Sequence, residues 1–534
     1  MTEQYTRSKI PLNKVYSPED LKNFDYDKDL NAPGDYPYTR GIRLDLFGKT
    51  GWIQRELSGE GEPSTSNQQL KYLISKGQSG IDVVADSPSQ TFVDPDHPLA
   101  ANSIGTTGVS LCCLQDFREL WHDLPLEAVT ISNSIWSYFL IPALFTIAKE
   151  NNIPPENLRG SVVNAPLFGE DCGFAVHMPV DLRVRLGCDT IEFCTKFMPK
   201  YHSFLQTTYF YCEAGLDVVE EMALSFIEIR HVVRELLKRG MDIDSFAPRI
   251  GILVDCSMDF FEEIAKIRAT RRMFARMMKE EFGAKDPRSL SVVITSHTSG
   301  LSLTAQQPYN NIVRGAVQTL ALVLAGVQAV EISAFDEAYR PPSPESHLVG
   351  LRTQQVIHLE SNVTKVVDPL GGSYYMESLT NDVEKRIWDM VMDIEAKGDP
   401  AELSDKGWFK TFFDDIMYRY ANQIKKGELV RVGLNAFQIP DHEDTLLKEV
   451  AEKKIEPCWD RIEKIKQFKK KRDQNQIKKV LTDCYLKAKT KDENLIYPII
   501  EALKADATIG EIAGVMRMAY DYPYDPFDIM ESPI

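Results

Sequence analysis

The chain has 534 residues, 43% hydrophobic and 26% charged, with 30 glycines and 29 prolines. That length and balance support a large buried core and exclude a disordered chain, a collagen or a small disulfide scaffold. A formal charge of -17, from 78 acids against 61 bases, argues against a nucleic-acid or membrane-surface role.

Residues 1 to about 35 are polar, with Pro11, Pro18 and Pro33, and read as an extended arm with little core of its own. The first residues carry no apolar segment of signal-peptide type. No apolar run reaches the roughly 18 residues needed to span a bilayer. The most apolar stretch, Ala316 to Ile332, is broken by Gln318, Thr319, Gln328 and Glu331. The nine cysteines form no C-x-x-C pair and read as reduced core thiols of a cytoplasmic protein.

From about residue 36 to 400, short β-branched runs alternate with segments of helical period. Eight strands are expected: Gly80–Asp86, Ala128–Ser134, Gly160–Asn164, Ser203–Phe210, Arg249–Asp255, Leu290–Ser296, Ala329–Phe335 and Thr364–Asp368. Between two of them, Phe260–Phe282 puts Phe260, Phe261, Ile264, Ile267, Met273 and Phe274 near one helix face and charges on the other. Eight such repeats point to a (β/α)8 barrel, although a doubly wound open sheet alternates in the same way. In a barrel, polar residues gather after the strands. Asp86-Ser87, Ser132-Asn133-Ser134, Tyr209 to Glu213, Thr295-Ser296-His297 and Asp336-Glu337 do so.

Beyond about 400 the strand signal disappears. Lys453 to Lys491 is rich in lysine, including Lys469-Lys470-Lys471. Acids interrupt it and no aromatic platform accompanies it, so it reads as a solvated helical face. Leu495–Tyr520 reads as one or two amphipathic helices. The division expected is an arm over 1–35, a barrel over 36–400 and a helical extension over 401–534.

Ordinary catalytic motifs are missing: there is no G-x-S-x-G, H-E-x-x-H, Walker A or Rossmann fingerprint. The nine histidines are scattered, and no metal site is expected. The distinctive segments are Tyr36-Pro-Tyr-Thr-Arg-Gly41, Leu73-Ile-Ser-Lys-Gly-Gln-Ser-Gly80 and Phe246-Ala-Pro-Arg249. Others are Ser296-His-Thr-Ser-Gly-Leu-Ser-Leu-Thr-Ala-Gln306, Tyr309-Asn-Asn311 and Val367-Asp-Pro-Leu-Gly-Gly-Ser373. Through these segments the chain resembles the substrate-binding part of the adenosylcobalamin-dependent acyl-CoA mutases, the methylmalonyl-CoA mutase family. The resemblance runs from about residue 36 to the C-terminus.

It implies a TIM barrel, a (β/α)8 barrel with an N-terminal arm and a C-terminal α-helical extension, that takes an acyl-CoA substrate through its axis. Adenosylcobalamin would cap the barrel and supply a radical, and the thioester carbonyl group would migrate to the neighbouring carbon. In the family the cobalt ligand is the histidine of a D-x-H-x-x-G motif, which this sequence lacks; Asp94–His97 has the wrong spacing. A separate small cobalamin-binding subunit is therefore expected, as in isobutyryl-CoA and 2-hydroxyisobutyryl-CoA mutases. It would dock on the helical extension in an α2β2 heterotetramer, with no nucleic-acid or membrane partner.

Carried over residue by residue, the resemblance puts Glu213 and Glu337 against the adenosyl ribose and Gln328 near the ligands. Tyr209 would wall the radical space. Arg55 and Arg249 would face CoA, and Ser132 and Ser134 would line the substrate channel. Departures cluster at the reacting centre. Phe210 stands where the family has a carbonyl-binding histidine, His297 replaces a glutamine, and Gly173 falls near the position of a carboxylate-binding arginine. Leu57 and Val84 replace side chains that select known substrates, and Thr50 and Ile53 replace an arginine and a threonine. These changes argue against methylmalonyl-CoA and 2-hydroxyisobutyryl-CoA as substrates. They leave His297 and Tyr211 as replacement donors to the carbonyl. Loss of the histidine at Phe210 also fits a non-catalytic paralogous subunit, and the change at Thr50 and Ile53 a substrate without CoA.

Overall fold

The computed structural model describes residues 4–45, 51–172, 176–452, 455–490 and 493–534. A short antiparallel hairpin, β1 (Gln4–Tyr5) and β2 (Pro11–Leu12), opens the chain. Nine strands then form one sheet: β3 (Ile53–Arg55), β4 (Leu57–Ser58), β5 (Gly80–Val84), β6 (Thr130–Ser134), β7 (Gly160–Val163), β8 (Tyr201–Thr207), β9 (Ile250–Cys256), β10 (Val293–Thr298) and β11 (Ala329–Glu331). Their order is β3-β11-β10-β9-β8-β7-β6-β5-β4, with parallel pairing. Only Glu56 separates β3 from β4, so the two are halves of one stave at the two ends of the order. Each of the eight staves leads into a helix, the first into Pro63–Ser75 and the last into Pro344–Glu360. The fold is a (β/α)8 barrel.

One expected strand is absent and one stave was not anticipated. Val363–Lys365 is a 3-10 turn, entered from Asn362 at φ 61°, and Val366 is 60% exposed. The β-branched run is too short to override that turn and the Pro369 that follows it. The missing stave is Ile53–Ser58, whose central Arg55 and Glu56 disguise it as a loop. Both charges are buried: Arg55 Nε donates to Glu331 Oε1 at 2.5 Å, and Gln354 Nε2 donates to Glu56 Oε1 at 3.1 Å. The strand expected over Ser203–Phe210 stops at Thr207, and Tyr209–Glu213 turns into a short helix.

Contacts divide the chain into two compact units. The first comprises Met1–Glu56, Gln206–Leu403 and Trp408–Lys453. Here the N-terminal arm is tied down: the Arg7 guanidinium donates to the Gly215 and Leu216 carbonyls at 3.0 and 2.9 Å, and Ile10 and Leu30 are buried. Phe260–Arg276 does not present its charges to solvent, because Glu262, Glu263, Lys266, Arg268, Arg271 and Arg272 are all buried. The helix packs against Tyr374–Glu395 and Asn310–Ala325, so both faces are covered. Its cations are matched instead: Lys266 with Glu221 at 2.7 Å and Glu263 at 2.5 Å, Arg268 with Asp368 and Glu377, each at 2.5 Å.

The second unit comprises Leu57–Leu205, Ser404–Gly407 and Lys454–Ile534. Its apolar core joins Ile81, Val83, Ile131 and Val162, from one face of β5 to β7, to the helices Ser137–Glu150, Gln474–Lys489, Ile496–Lys504 and Ile509–Ala519. The stretch expected as one amphipathic segment, Leu495–Tyr520, thus forms two helices. All nine cysteines are free, and seven are buried. Among the described residues no helix is long and apolar enough to cross a membrane.

The lysine run is not uniformly solvated. Lys469 lies 2.9 Å from Asp94 and 2.7 Å from Asp96, its side chain 18% exposed, whereas Lys470 and Lys471 are exposed. Lys469→Met is expected to destabilise the chain by about 1–3 kcal/mol, since it strands two carboxylates. Lys470→Met is expected to stay within about 0.5 kcal/mol. Chemical denaturation of the two variants side by side checks the contrast.

Candidate active site

In the first unit, strand register lines up four polar residues. Arg55 pairs with Glu331, Glu331 with His297, and His297 with Asp255 across β3, β11, β10 and β9. Partners in register present their side chains to the same face of a sheet. None of the four is more than 3% exposed. His297 Nδ1 lies 2.9 Å from the Thr298 carbonyl oxygen, and Nε2 lies 4.0 Å from Glu331 Oε2. Nε2 has no hydrogen-bond partner among the described residues and is the ring atom left for a ligand.

The turn after β8 brings aromatics to this row. The Tyr209 ring lies 4.7 Å from that of His297 and 5.8 Å from that of Phe210. Burial pushes the Tyr209 phenol well up, and the carboxylates of Glu213, Glu337, Asp255 and Glu331 add to the effect, so it stays a proton donor. Phe210 is 8% exposed and carries no donor. Tyr211 turns away: its hydroxyl donates to Glu228 at 2.7 Å and accepts from Gln206 at 3.2 Å. That interior pairing removes Tyr211 as a replacement for the carbonyl-binding histidine.

Glu213 and Glu337 converge on one glycine. Glu213 accepts from Ser299 Oγ at 2.8 Å and from the Leu301 amide at 2.9 Å. Glu337 accepts from the Ala334 amide at 3.0 Å. A Cβ at Gly300 would meet Glu213 Oε2 at 3.1 Å and Glu337 Oε1 at 3.5 Å, so glycine keeps the space between the carboxylates open. Two acceptors facing one gap suit a vicinal diol such as that of a ribose.

Burial, with Glu213 close by, raises Glu337 from the ordinary 4.5 to about 7. The folded chain therefore holds more protons than the unfolded one between those values, and stability falls as pH rises through that window. Glu337→Gln removes the titration. The melting temperature of the variant minus that of the native chain is expected to grow from about pH 5 to about pH 8, measured without cofactor.

The opposite ends of these strands hold Arg249 and Gln328, which immediately precede β9 and β11. Burial, and then Arg288, lower the Arg249 guanidinium, a disposition that favours an anion beside it. Gln328 lies at the far end of β11 from Glu337. Its Oε1 accepts from the Ile294 amide at 2.7 Å and its Nε2 donates to the Gly326 carbonyl at 3.0 Å. It braces the β10 and β11 starts, and the structure does not bring it to the two glutamates. Arg55 likewise has Nε committed to Glu331, and Ile53 sits one layer below it in β3, opposite Ala329. Thr50 and Gly173 lie outside the described residues.

In the second unit, register aligns Leu57, Asp82, Ser132, Ser161 and His202 across β4 to β8. Val84 pairs with Ser134 one layer on. By strand alternation, Leu57, Val84, Ser132 and Ser134 share the face opposite Ile81, Val83, Ile131 and Val162, which pack on helices. Ser132 and Ser161 hydroxyls lie 2.7 Å apart, and Gln90 Nε2 donates to the Ser134 carbonyl. This face is a lining of small and polar side chains. His97, from the mismatched cobalt motif, is instead buried 3.1 Å from Asp525. Cys112, Cys113 and Asp116 cluster at metal-binding range, but the Arg461 guanidinium donates to both Asp116 oxygens at 2.9 and 2.7 Å and takes the cation's place.

Sequence reasoning missed Asp255, Glu331, Asp82 and Ser161. The available signal was a charge within an apolar strand, as in Ile252-Leu-Val-Asp-Cys256. Alternation around it places the side chain on the face that does not carry the helices.

A family profile described as methylmalonyl-CoA mutase matches residues 5–522. The chain is 32% identical over 515 residues to the 2-hydroxyisobutanoyl-CoA mutase large subunit of Aquincola tertiaricarbonis, covering 96% of this chain and 91% of that one. It is 31% identical over 529 residues to the methylmalonyl-CoA mutase of Rhizobium meliloti (strain 1021), covering 98% and 73%. It is 32% identical over 522 residues to the mitochondrial methylmalonyl-CoA mutase of Homo sapiens, covering 97% and 68%.

Proposed function

The chain belongs to the methylmalonyl-CoA mutase family, and we propose from that premise that it is the large, acyl-CoA-binding subunit of an adenosylcobalamin-dependent mutase. The reaction proposed is migration of a thioester carbonyl group between neighbouring carbons, on a substrate other than methylmalonyl-CoA. The observation that carries this reading is the convergence of Glu213 and Glu337 over Gly300 beside Tyr209 and His297.

Adenosylcobalamin, when bound, supplies the carbon radical by cleavage of its cobalt–carbon bond. Glu213 and Glu337 would hold the ribose hydroxyls. The Tyr209 ring, kept neutral by burial, excludes water from the reacting atoms and offers a hydroxyl that is not spent as an anion. His297 Nε2 is the donor assigned to the migrating carbonyl, since Phe210 has none to give. Arg249 is assigned to the CoA phosphates. The row from Leu57 through Ser132 to Ser161, with Val84 and Ser134, would line the acyl path. Among the described residues that row carries no arginine or lysine, which supports a substrate without a free carboxylate beside the migrating group.

A separate small chain is proposed to bring the cobalamin and its cobalt ligand. Support comes from the relative named a large subunit, 91% of which this chain covers. The test is to reconstitute the chain with a small cobalamin-binding partner and adenosylcobalamin and to offer a panel of acyl-CoA thioesters. Isomerised thioester from one of them supports the reading. Tight assembly with no product from any thioester favours a non-catalytic paralogue.

A further inference from the structure

Asp255 is 0% exposed at the penultimate position of β9. Neither of its carboxyl oxygens receives an N–H or O–H from the described residues. Its one side-chain partner is another acid, because its carboxyl lies against that of Glu213. The groups facing it are Glu213, Tyr209 and Cys212 from the turn after β8, Glu221 from Val218–Lys238, Lys266 with Glu263 from Phe260–Arg276, and His297 from β10.

Lys266 does not neutralise it. The Lys266 ammonium donates to the Asp255 backbone carbonyl at 2.5 Å, while Glu221 at 2.7 Å and Glu263 at 2.5 Å take its charge. A fully buried carboxyl that receives no donor on either oxygen and lies against a second carboxyl does not ionise, so Asp255 keeps its proton. Glu213 already accepts from Ser299 and Leu301, whereas Asp255 accepts nothing from the described residues.

We propose that Asp255 is a neutral acid at physiological pH that donates its proton to Glu213, making it a positioning residue that aims the Glu213 carboxylate at the adenosyl ribose. The aiming rests on the proposed cofactor; the protonation does not. Burial and the neighbouring Glu213 both push the Asp255 carboxyl well up, in the same direction. Glu213 is thereby held from two sides, by the Gly300–Ser302 turn and by the barrel strand, as a binding group must be when its own side chain is flexible.

Infrared difference spectra of the full chain without cofactor test the proton. At neutral pH, native minus Asp255→Asn is expected to show the carbonyl stretch of a protonated carboxylic acid, shifted in Glu213→Gln. No such band overturns the proposal. Affinity in the complex with the small partner tests the aiming. Asp255→Asn, which keeps an N–H donor, is expected to hold adenosylcobalamin within about threefold of native, and Asp255→Ala to lose about tenfold or more. Hydroxocobalamin, which lacks the adenosyl group, is expected to bind all three alike. Equal loss for both cobalamins marks a merely structural residue and overturns the positioning role. If the native complex does not distinguish the two cobalamins, the functional reading fails and the positioning role with it, while the infrared band still decides the protonation.

Discussion

His297→Ala lowers kcat by about 10²–10³, while adenosylcobalamin still binds: that is the expected result of removing the donor assigned to the migrating carbonyl. Loss of a single preorganised donor to a developing oxyanion costs that much in other enzymes. Phe210 has no donor, and Tyr211 is bound to Glu228 in the interior. His297 offers a buried ring nitrogen with no hydrogen-bond partner among the described residues, 4.7 Å ring to ring from Tyr209. His297→Gln keeps an N–H near the same place and is expected to recover part of the loss. Steady-state kinetics give kcat, and cobalamin absorbance on the assembled complex gives binding. Native turnover in the alanine variant contradicts the assignment.

The double variant Glu213→Gln, Glu337→Gln is expected to weaken adenosylcobalamin by about 10²-fold or more. Each amide replaces a charged acceptor by a weaker neutral one. The two carboxylates share the space over Gly300, so the effects will not add simply. Hydroxocobalamin should bind the double variant as it binds the native complex, since it has no ribose of the adenosyl group to hold. Parallel titrations of the two cobalamins provide the check. Equal affinities for adenosylcobalamin in native and variant complexes contradict the ribose assignment.

The barrel was legible because seven of its eight staves are β-branched runs between helices of ordinary period. Ile53–Ser58 was hidden by Arg55 and Glu56, charges that read as solvent-facing until their buried partners Glu331 and Gln354 are seen. The same blindness affected Phe260–Arg276. Its arginines and lysine looked like a wet face, yet Lys266 and Arg268 pair with Glu221, Asp368 and Glu377, acids more than 40 residues away in sequence. Propensity cannot report such pairing, because the partner is set by the tertiary fold.

The candidate site was legible where a residue type at a strand end implied its chemistry. Glu213 and Glu337 meet over Gly300, and Tyr209 stands beside His297. Motif matching could not show how Gln328 and Arg55 are held: the Gln328 amide is used by the backbone at the other end of its strand, and Arg55 Nε donates to Glu331. It also passed over Asp255, which matches no motif and gains meaning only from the register of β9 against β10 and the Glu213 carboxyl beside it.

The most direct measurement is the cobalt–carbon absorbance of adenosylcobalamin in a reconstituted complex of this chain with the proposed small cobalamin-binding partner, followed as acyl-CoA thioesters are added one at a time. One thioester should bleach that absorbance and return as an isomer with its carbonyl group moved by one carbon. An assembled complex whose cobalt–carbon bond stays intact with every thioester would contradict the account.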